Sequence, residues 1–433
     1  MSRIYITGHR NPDLDSVCSA YAYAVLKNSI DPSNEYVAIR CGHLNENTKN
    51  ILKSINVTPP PYKRDIYPKV KDVMLKSEKK IESITLLSEV ASFYNETTPS
   101  AIPVYKGKKY FGLLSVDDIS SWVMNELHSG GTIDRIPCIE EIMKPDEGRV
   151  SYNDMFNEAK EQLSNSKKRG LAVFDGDEFV GYVTRRCFLK TPRHNVILVD
   201  HNEPKQSIKG IETANIVEII DHHRLDAVKT DLPIFIDAEP LGSTCTIVYQ
   251  QFLRHAVRPD KKTARMLLTG IISDTLILRS PTTTSIDKFY ANALAEICEV
   301  DLQEFGYAMY NNMAGLKNED PEKAINSDFK TYVENGVKVG IGQCEVTMLD
   351  DLDDYSQVYL DALEDVRGKN GLDWAVLMVT DVLDEDSVLL CTNYKANSKL
   401  QYTLRSNLIY DMPGVMSRKK QLLPEILHAI NVR

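Results

Sequence analysis

The sequence predicts an α/β protein: a parallel-sheet domain interrupted by a duplicated insertion and followed by a separate C-terminal α/β domain. Three observations predict it. The chain opens with "RIYITG", "SVCSAYAYAVLK" and "NEYVAIRCG", the strand, helix and strand of a β-α-β unit. That alternation stops at the proline-rich "NVTPPPYKRDIYP" and resumes after "TPRHN" with "VILVDHNE" and "NIVEIIDHHR". Between the two, similar elements recur in the same order, the mark of an internal duplication.

Taken in order, residues 1–66 form the first part of the interrupted domain. The first helix is expected over about Ser16–Lys27, with Asp15 and Ser16 as candidate caps. Residues 67–191 form the insertion, with halves at about 67–128 and 138–191. Each half opens on a helical turn, "KVKDVM" or "CIEEIM", and continues with a helix, "LLSEVASFYNE" or "MFNEAKEQLSN". Each closes on two strands and a helix start, "SAIPVYKGKKYFGLLSVDDI" or "RGLAVFDGDEFVGYVTRRCF". Residues 192–305 complete the interrupted domain; "GSTCTIVYQQFLRH" opens a helix with small hydroxyl residues, and "TARMLLTGIISDT" reads equally as strand or helix. From 306 to 433 the charged "GLKNEDPEKAINSDFK", two strand-like runs and a basic motif mark the last domain.

A chain of 433 residues exceeds what one core supports. No apolar run approaches the roughly 18 residues that cross a bilayer, and "MSRIYITG" does not read as a secretory signal, so a cytoplasmic protein with no membrane partner is expected. Eight scattered cysteines without a C-x-x-C pair suggest reduced, buried thiols. A formal charge of −10 argues against nonspecific nucleic-acid binding, which needs Lys and Arg to neutralise phosphates.

Singly, the acidic motifs are ordinary: His9, Asp13 and Asp15 fit a solvated loop with a helix cap, and Asp200 fits a turn. Repetition changes the reading. Ligands of a parallel sheet bind outside the carboxyl ends of its strands, and His9 to Asp15, Asp200 and Asp221 to His223 all follow strands. Carboxylates crowded on one edge repel unless cations fill the cup. Carboxylate and imidazole without thiolate suit Mn²⁺, Co²⁺, Fe²⁺ or Zn²⁺ better than Ca²⁺, with Mn²⁺ or Co²⁺ favoured and Mg²⁺ able to arrive with substrate. "SRKKQLLPEIL" adds Arg418, Lys419 and Lys420, an ordinary solvated run by itself, but beside a metal cup a basic wall for a phosphate compound.

Together "GHRNPDLDSVCSAYAYA", "VILVDHNE", "EIIDHHR", "IISDT" and "SRKKQLLP" resemble the family II inorganic pyrophosphatases of the DHH phosphoesterase superfamily. The insertion resembles a tandem pair of CBS domains, without an additional DRTGG domain, and the C-terminal domain then corresponds to DHHA2. The resemblance implies that His9, Asp13 and Asp200 hold one metal, and that Asp15, Asp200, His222 and Asp274 hold a second. It makes His223, Lys330, Arg418 and Lys419 pyrophosphate ligands, with Asp221 and His201 orienting the metal ligands. It implies two protein-bound Mn²⁺ or Co²⁺, Mg²⁺ with the substrate, and attack by a hydroxide bridging the two metals.

In nucleotide-binding CBS domains a Ser or Thr followed three residues later by Asp contacts phosphate and ribose. Ser115 and Asp118 keep this pattern, whereas Thr184 is followed by Cys187. Arg169, Arg185 and Arg186, with Lys167 and Lys168, offer positive charge nearby. AMP, ADP and ATP are the implied regulatory ligands, and a homodimer the implied assembly; the insertion also reads as a dimer interface alone. Two rival functions stay open: another DHH-type phosphohydrolase acting on short polyphosphate or oligonucleotide, and a non-catalytic nucleotide sensor.

Overall fold

The computed structural model describes residues 2–76, 80–97, 101–130, 133, 135–143, 145, 148–226, 229–311, 316, 320–346, 349, 352–381 and 386–431. Part of the charged stretch near 315–320 lies outside them. Two compact units emerge, one made of 1–66 with 195–433 and the other of 67–194.

The chain begins with β1 (Ser2–Thr7), α1 (Leu14–Ile30), β2 (Asn34–Ile39) and α2 (Glu46–Ser54). The cap of α1 is Asp13, not Asp15 or Ser16: its carboxylate accepts from the Ser16 N–H at 2.9 Å, so the helix starts earlier than expected. Asp15 thereby falls in the first turn and points inward.

The second unit holds β3 (Ile81–Glu82), α3 (Leu87–Thr97), β4 (Ile102–Lys106), β5 (Lys109–Leu114) and α4 (Val116–His128) in its first half. Its second half holds α5 (Ile139–Ile142), β6 (Arg149–Ser151), α6 (Phe156–Asn165), β7 (Gly170–Asp175) and β8 (Glu178–Thr184). Each half carries one three-stranded sheet, β3-β4-β5 or β6-β7-β8. The opening turns are exchanged, which the linear repeat does not reveal. Val70 of "KVKDVM" packs with Val150, Phe156 and Val173 of the second half, while Ile139 and Met143 of "CIEEIM" pack with Ile81, Ile102 and Leu114 of the first. Bridges from Lys69 to Met155, Leu75 to Tyr182 and Leu86 to Cys138 hold the exchange.

The first unit resumes with β9 (Asn195–Val199), β10 (Asn215–Asp221), β11 (Phe235–Ala238), α7 (Thr244–Arg254), α8 (Lys261–Asp274), α9 (Ser285–Cys298) and α10 (Leu302–Asn311). "TARMLLTGIISDT" is thus helical. Its sheet runs β11-β10-β9-β1-β2, every pair parallel. Ile197 and Val199 face the core beneath α1, α7 and α8, while Val196 and Leu198 face a second core with Ile208 and Ile219. Burial on both faces is why β9 reads as an unbroken apolar run. The order of the strands turns back between β1 and β9, which makes their carboxyl ends the switch point at which such sheets bind ligands.

The rest comprises α11 (Pro321–Ser327), β12 (Phe329–Glu334), β13 (Val337–Val346), α12 (Leu352–Lys369), β14 (Trp374–Asp381), β15 (Asp386–Cys391), β16 (Thr403–Ser406), β17 (Ile409–Pro413) and α13 (Leu423–Asn431). Where the sequence suggested two strands there are six, in the order β12-β13-β14-β15-β17-β16. Short alternating segments such as "TLRS" lack the apolar run that announces a buried strand. α11 and α12 pack on one face, and α13 on the other.

Candidate metal centre

In register, Thr7 of β1 lies opposite Leu198 of β9, and Val199 opposite Ile220 of β10, so the residues after these strands emerge side by side. The loop after β1 folds tightly onto α1. A Cβ on Gly8 would lie 1.8 Å from Ser16 Oγ, so only glycine fits, and the same hydroxyl accepts from the His9 N–H at 3.0 Å. His9 Nε2 then lies 3.3 Å from Asp13 Oδ2 and 3.2 Å from Asp200 Oδ2. Asp13 therefore caps α1 with one oxygen and faces His9 with the other.

Asp200 is 1 % exposed and takes a left-handed φ of 59°, unusual outside glycine though tolerated by Asp. Its Oδ1 lies 3.4 Å from His222 Nε2, while its Oδ2 is buried without a hydrogen bond. His222 Nε2 is also 3.3 Å from Asp274 Oδ2. Its Nδ1 sits 3.0 Å from the Leu241 carbonyl, an acceptor that holds the Nδ1 proton and so makes Nε2 the nitrogen that can give up its proton and turn a lone pair to a metal. His223 Nδ1 lies 2.9 Å from Asp221 Oδ1, and Asn202 donates to the other oxygen of Asp221 at 2.6 Å.

Asp274 arrives from the last residue of α8, not from a strand end. Leu276, Ile277 and Leu278 follow it with φ of 50°, 53° and 63°, three successive left-handed residues that L side chains adopt at a cost.

Asp15, 1 % exposed, is gripped by the start of α7. Ser243 Oγ donates to its Oδ1 at 2.6 Å, the Cys245 N–H to the same oxygen at 3.0 Å, and the Thr244 N–H to its Oδ2 at 2.7 Å. Thr244 Oγ1 also donates to Asp200 Oδ1 at 3.1 Å. A helix N-terminus suits carboxylates through its free N–H groups and dipole. "GSTCT" read only as a helix opening, so sequence reasoning missed Ser243 and Thr244; two hydroxyls beside unsatisfied N–H groups were the available signal.

Among the described residues three clusters result: His9, Asp13 and Asp200; Asp15, His222 and Asp274; and Asp200, His222 and His223. Asp200 and His222 each belong to two. Protons compensate the charge where no cation does. Burial, with Asp200 and Asp274, pushes Asp15 up to about 8, and burial pushes Asp274 up to about 6. Burial works against a charged His222, yet Asp274 and Asp200 outweigh it and raise the ring to about 10. Buried carboxylates and imidazoles converging around an orphaned Asp200 oxygen fit a pair of divalent cations.

A basic wall comes from the C-terminal part of the same unit. Arg418 is 3 % exposed, with NH1 2.9 Å from Asp328 Oδ2 and donating to the Asp328 carbonyl at 2.6 Å, while its Nε is buried without a partner. Burial lowers Lys330, and Arg418 and Lys419 lower it further against the pull of Asp328. Lys419 also bears on His222, His223 and Asp274. Lys420 turns aside to the Pro281 carbonyl at 2.9 Å. His201, buried at 2 % exposure, sets its Nδ1 2.9 Å from the Val199 carbonyl. Asp328 was missed because one acid in a charged stretch carries no signal.

In the second unit, Asp118 Oδ2 accepts from the Ser115 N–H at 2.8 Å and from Ser115 Oγ at 2.6 Å. Cys187 occupies the matching place, its sulfur 3.3 Å from the Thr184 nitrogen. Arg169 spans the halves to grip Asp117 at 2.6 and 2.8 Å, Arg185 donates to the Ser166 carbonyl at 3.0 Å, and Arg186 is exposed.

Comparison with known proteins adds kinship. The model of the DHH family, N-terminal domain, matches residues 3–271, and that of the DHHA2 domain matches 308–429. The chain is 26 % identical to the "Cobalt-dependent inorganic pyrophosphatase" of Clostridium perfringens, an alignment of 544 positions covering 99 % of each chain. It is 32 % identical over 298 positions to the "Probable manganese-dependent inorganic pyrophosphatase" of Lactobacillus helveticus, covering 66 % of this chain and 96 % of that one. A solved Methanococcus jannaschii structure, provisionally assigned to family II inorganic pyrophosphatases, covers 99 % of this chain at a TM-score of 0.61 and 24 % identity, a likeness of fold.

Proposed function

Because the chain belongs to the DHH family, in the inorganic pyrophosphatase branch that joins a DHH to a DHHA2 domain, we propose that it hydrolyses pyrophosphate to two phosphates with Mn²⁺ or Co²⁺ as cofactor. The single observation that carries the reading is the double engagement of Asp200: one oxygen faces His9 and the other His222, so one carboxylate can serve two metals. His9, Asp13 and Asp200 would hold one ion, and Asp15, Asp200, His222 and Asp274 the other, with Mg²⁺ entering on the substrate. When bound, such a pair would supply Lewis acidity and acidify a water toward neutrality, making it a nucleophile for phosphorus.

The chain's own groups do the rest. Arg418 and Lys419 would meet the substrate oxygens, and Asp328 fixes the guanidinium so that Nε stays free for phosphate. Lys330 adds a third cation. Together they offset charge on the equatorial oxygens and the departing phosphate as the bridging P–O bond breaks. His223 faces the phosphate, held through Asp221 and Asn202.

The second unit is read as a CBS pair that binds AMP, ADP or ATP and tunes hydrolysis, with Ser115 and Asp118 in one site and Thr184, Arg169, Arg185 and Arg186 in the other. On this reading the pair stands without an additional DRTGG domain. A homodimer suits the open edge of β11, where Phe235 and Ile236 are exposed. Eight cysteines held as thiols and not as disulfides suit the cytoplasm.

The test is phosphate release from pyrophosphate with Mn²⁺ or Co²⁺ present, repeated for Asp200→Asn. Since even groups behind the ligands cost about 10–100-fold, losing a shared ligand should cost at least about a hundredfold. Wild-type protein that releases no phosphate with either metal overturns the proposal.

A further inference from the structure

Asp287, in the first turn of α9, is fully buried, yet all its described partners are uncharged donors. Its Oδ2 accepts from the Gly242 N–H at 2.9 Å, the Thr284 N–H at 2.7 Å and Thr284 Oγ1 at 2.7 Å, and its Oδ1 accepts from Thr246 Oγ1 at 2.5 Å. The Thr284 pair is the capping box of α9. The Gly242 and Thr246 bonds do something else. They take hold of both ends of a five-residue segment whose three middle members, Ser243, Thr244 and Cys245, donate four hydrogen bonds to Asp15 and Asp200. The segment has no slack: a Cβ on Gly242 would lie 2.7 Å from Thr275 Cγ2 and 2.9 Å from Asp287 Oδ2.

We propose that Asp287 is a positioning residue for the metal cup, acting through the N-terminus of α7 to fix the carboxylates of Asp15 and Asp200. The inference rests on the reading of those two residues as metal ligands. Asp15 has both oxygens tied to one short turn, so its aim is set by where that turn sits. Asp287 sets the turn. Buried carboxylates repel one another without a cation, and a cup assembled before cations arrive needs such an external hold.

The test is calorimetric titration of metal-free full-length protein with Mn²⁺, beside thermal melts without metal. Wild type should take up two Mn²⁺ per chain. Thr246→Val removes one clamp bond without touching the cap of α9, and Asp287→Asn weakens both ends; each should weaken the ion that engages Asp15 by about 10–100-fold, the range for groups one step behind a ligand. Thr284→Ala, which removes the cap hydroxyl that accepts from the Asp287 N–H and donates to Asp287 Oδ2 but leaves the Gly242 and Thr246 bonds, should lower the melting temperature and leave Mn²⁺ affinity within about threefold of wild type. Wild-type affinity in Thr246→Val and Asp287→Asn overturns the clamp while leaving the cup intact. Equal losses of affinity in Thr284→Ala and Asp287→Asn overturn it too, because affinity would then follow helix stability alone. Wild type taking up fewer than two Mn²⁺ overturns the cup reading and the clamp with it.

Discussion

Arg418 reaches Asp328 twice, at 2.9 Å to its carboxylate and 2.6 Å to its backbone carbonyl, so the guanidinium is fixed before any anion arrives. A preset fork loses less freedom on binding phosphate than a waving side chain. Asp328→Asn keeps the carbonyl contact but removes the ionic one. The KM for pyrophosphate is expected to rise about tenfold, the loss of one charge-assisted hydrogen bond, with kcat changed much less. Steady-state kinetics decide it, and an unchanged KM refutes the role given to Asp328.

Lys330 leads to a pH effect. Burial first, then Arg418 and Lys419, hold its ammonium below the ordinary lysine range despite Asp328. Folding therefore disfavours the charged form. Protons bound by the unfolded chain exceed those bound by the folded one as pH approaches the unfolded value, so this group's penalty on stability fades as pH rises. Substrate affinity runs the other way, because a neutral amine attracts no phosphate. KM should climb on the alkaline side earlier than an ordinary lysine would cause, and Lys330→Arg should move that limb to higher pH. A pH profile of KM for both proteins checks the shift.

What the sequence revealed, and what it hid, follows the physics of each element. Acids after β1, β9 and β10 were legible because parallel strands are apolar runs and bring their ends to one edge. Asp274 was legible as a residue but not as the end of a helix, since an apolar segment buried all round has no decisive period. The exchange of Val70 and Ile139 between halves was hidden because repeats show order along the chain and not which core a short turn joins. Asp287 was hidden for another reason: Thr284-x-x-Asp287 is also a complete capping box, and that local role exhausts the local signal.

Cys187 offers the sharpest test of the nucleotide reading. In the first half Asp118 Oδ2 sits 2.8 Å from the Ser115 nitrogen, and in the second Cys187 Sγ sits 3.3 Å from the Thr184 nitrogen. The backbone places are alike; only the acceptor differs. A thiol accepts hydroxyls poorly, while a carboxylate gains about 1.5–3 kcal/mol per charge-assisted bond. Cys187→Asp should therefore tighten AMP binding about tenfold or more, and Asp118→Cys should weaken it comparably. Calorimetry with AMP on full-length protein reads both, and indifference to both substitutions excludes a ribose role at these positions.

The open edge of β11 carries the last prediction. Among the described residues β11 pairs only with β10, and beside its other edge Phe235 and Ile236 are 48 % and 46 % exposed, with Leu232 at 75 %. An apolar edge with unpaired backbone groups is a template for another strand, and proteins that keep such edges bare commonly guard them with charge. Here no charge stands at 235 or 236, which is the composition of a covered surface. A second copy presenting the same edge satisfies both apolar side chains and backbone by one two-fold operation. Phe235→Lys places a cation where the copies would meet, and two like charges would then face each other across the axis. The dimer should loosen by at least about tenfold in Kd, since each 1.4 kcal/mol lost is that factor. Sedimentation velocity measures it. Phosphate release per chain at saturating metal and substrate should hold, because Phe235 lies in no metal cluster and its register partner Glu218 is engaged by Lys27 at 2.6 Å and Tyr23 at 2.7 Å. A wild-type protein that sediments as a monomer, or a variant that dimerises unchanged, rules out this edge as the interface.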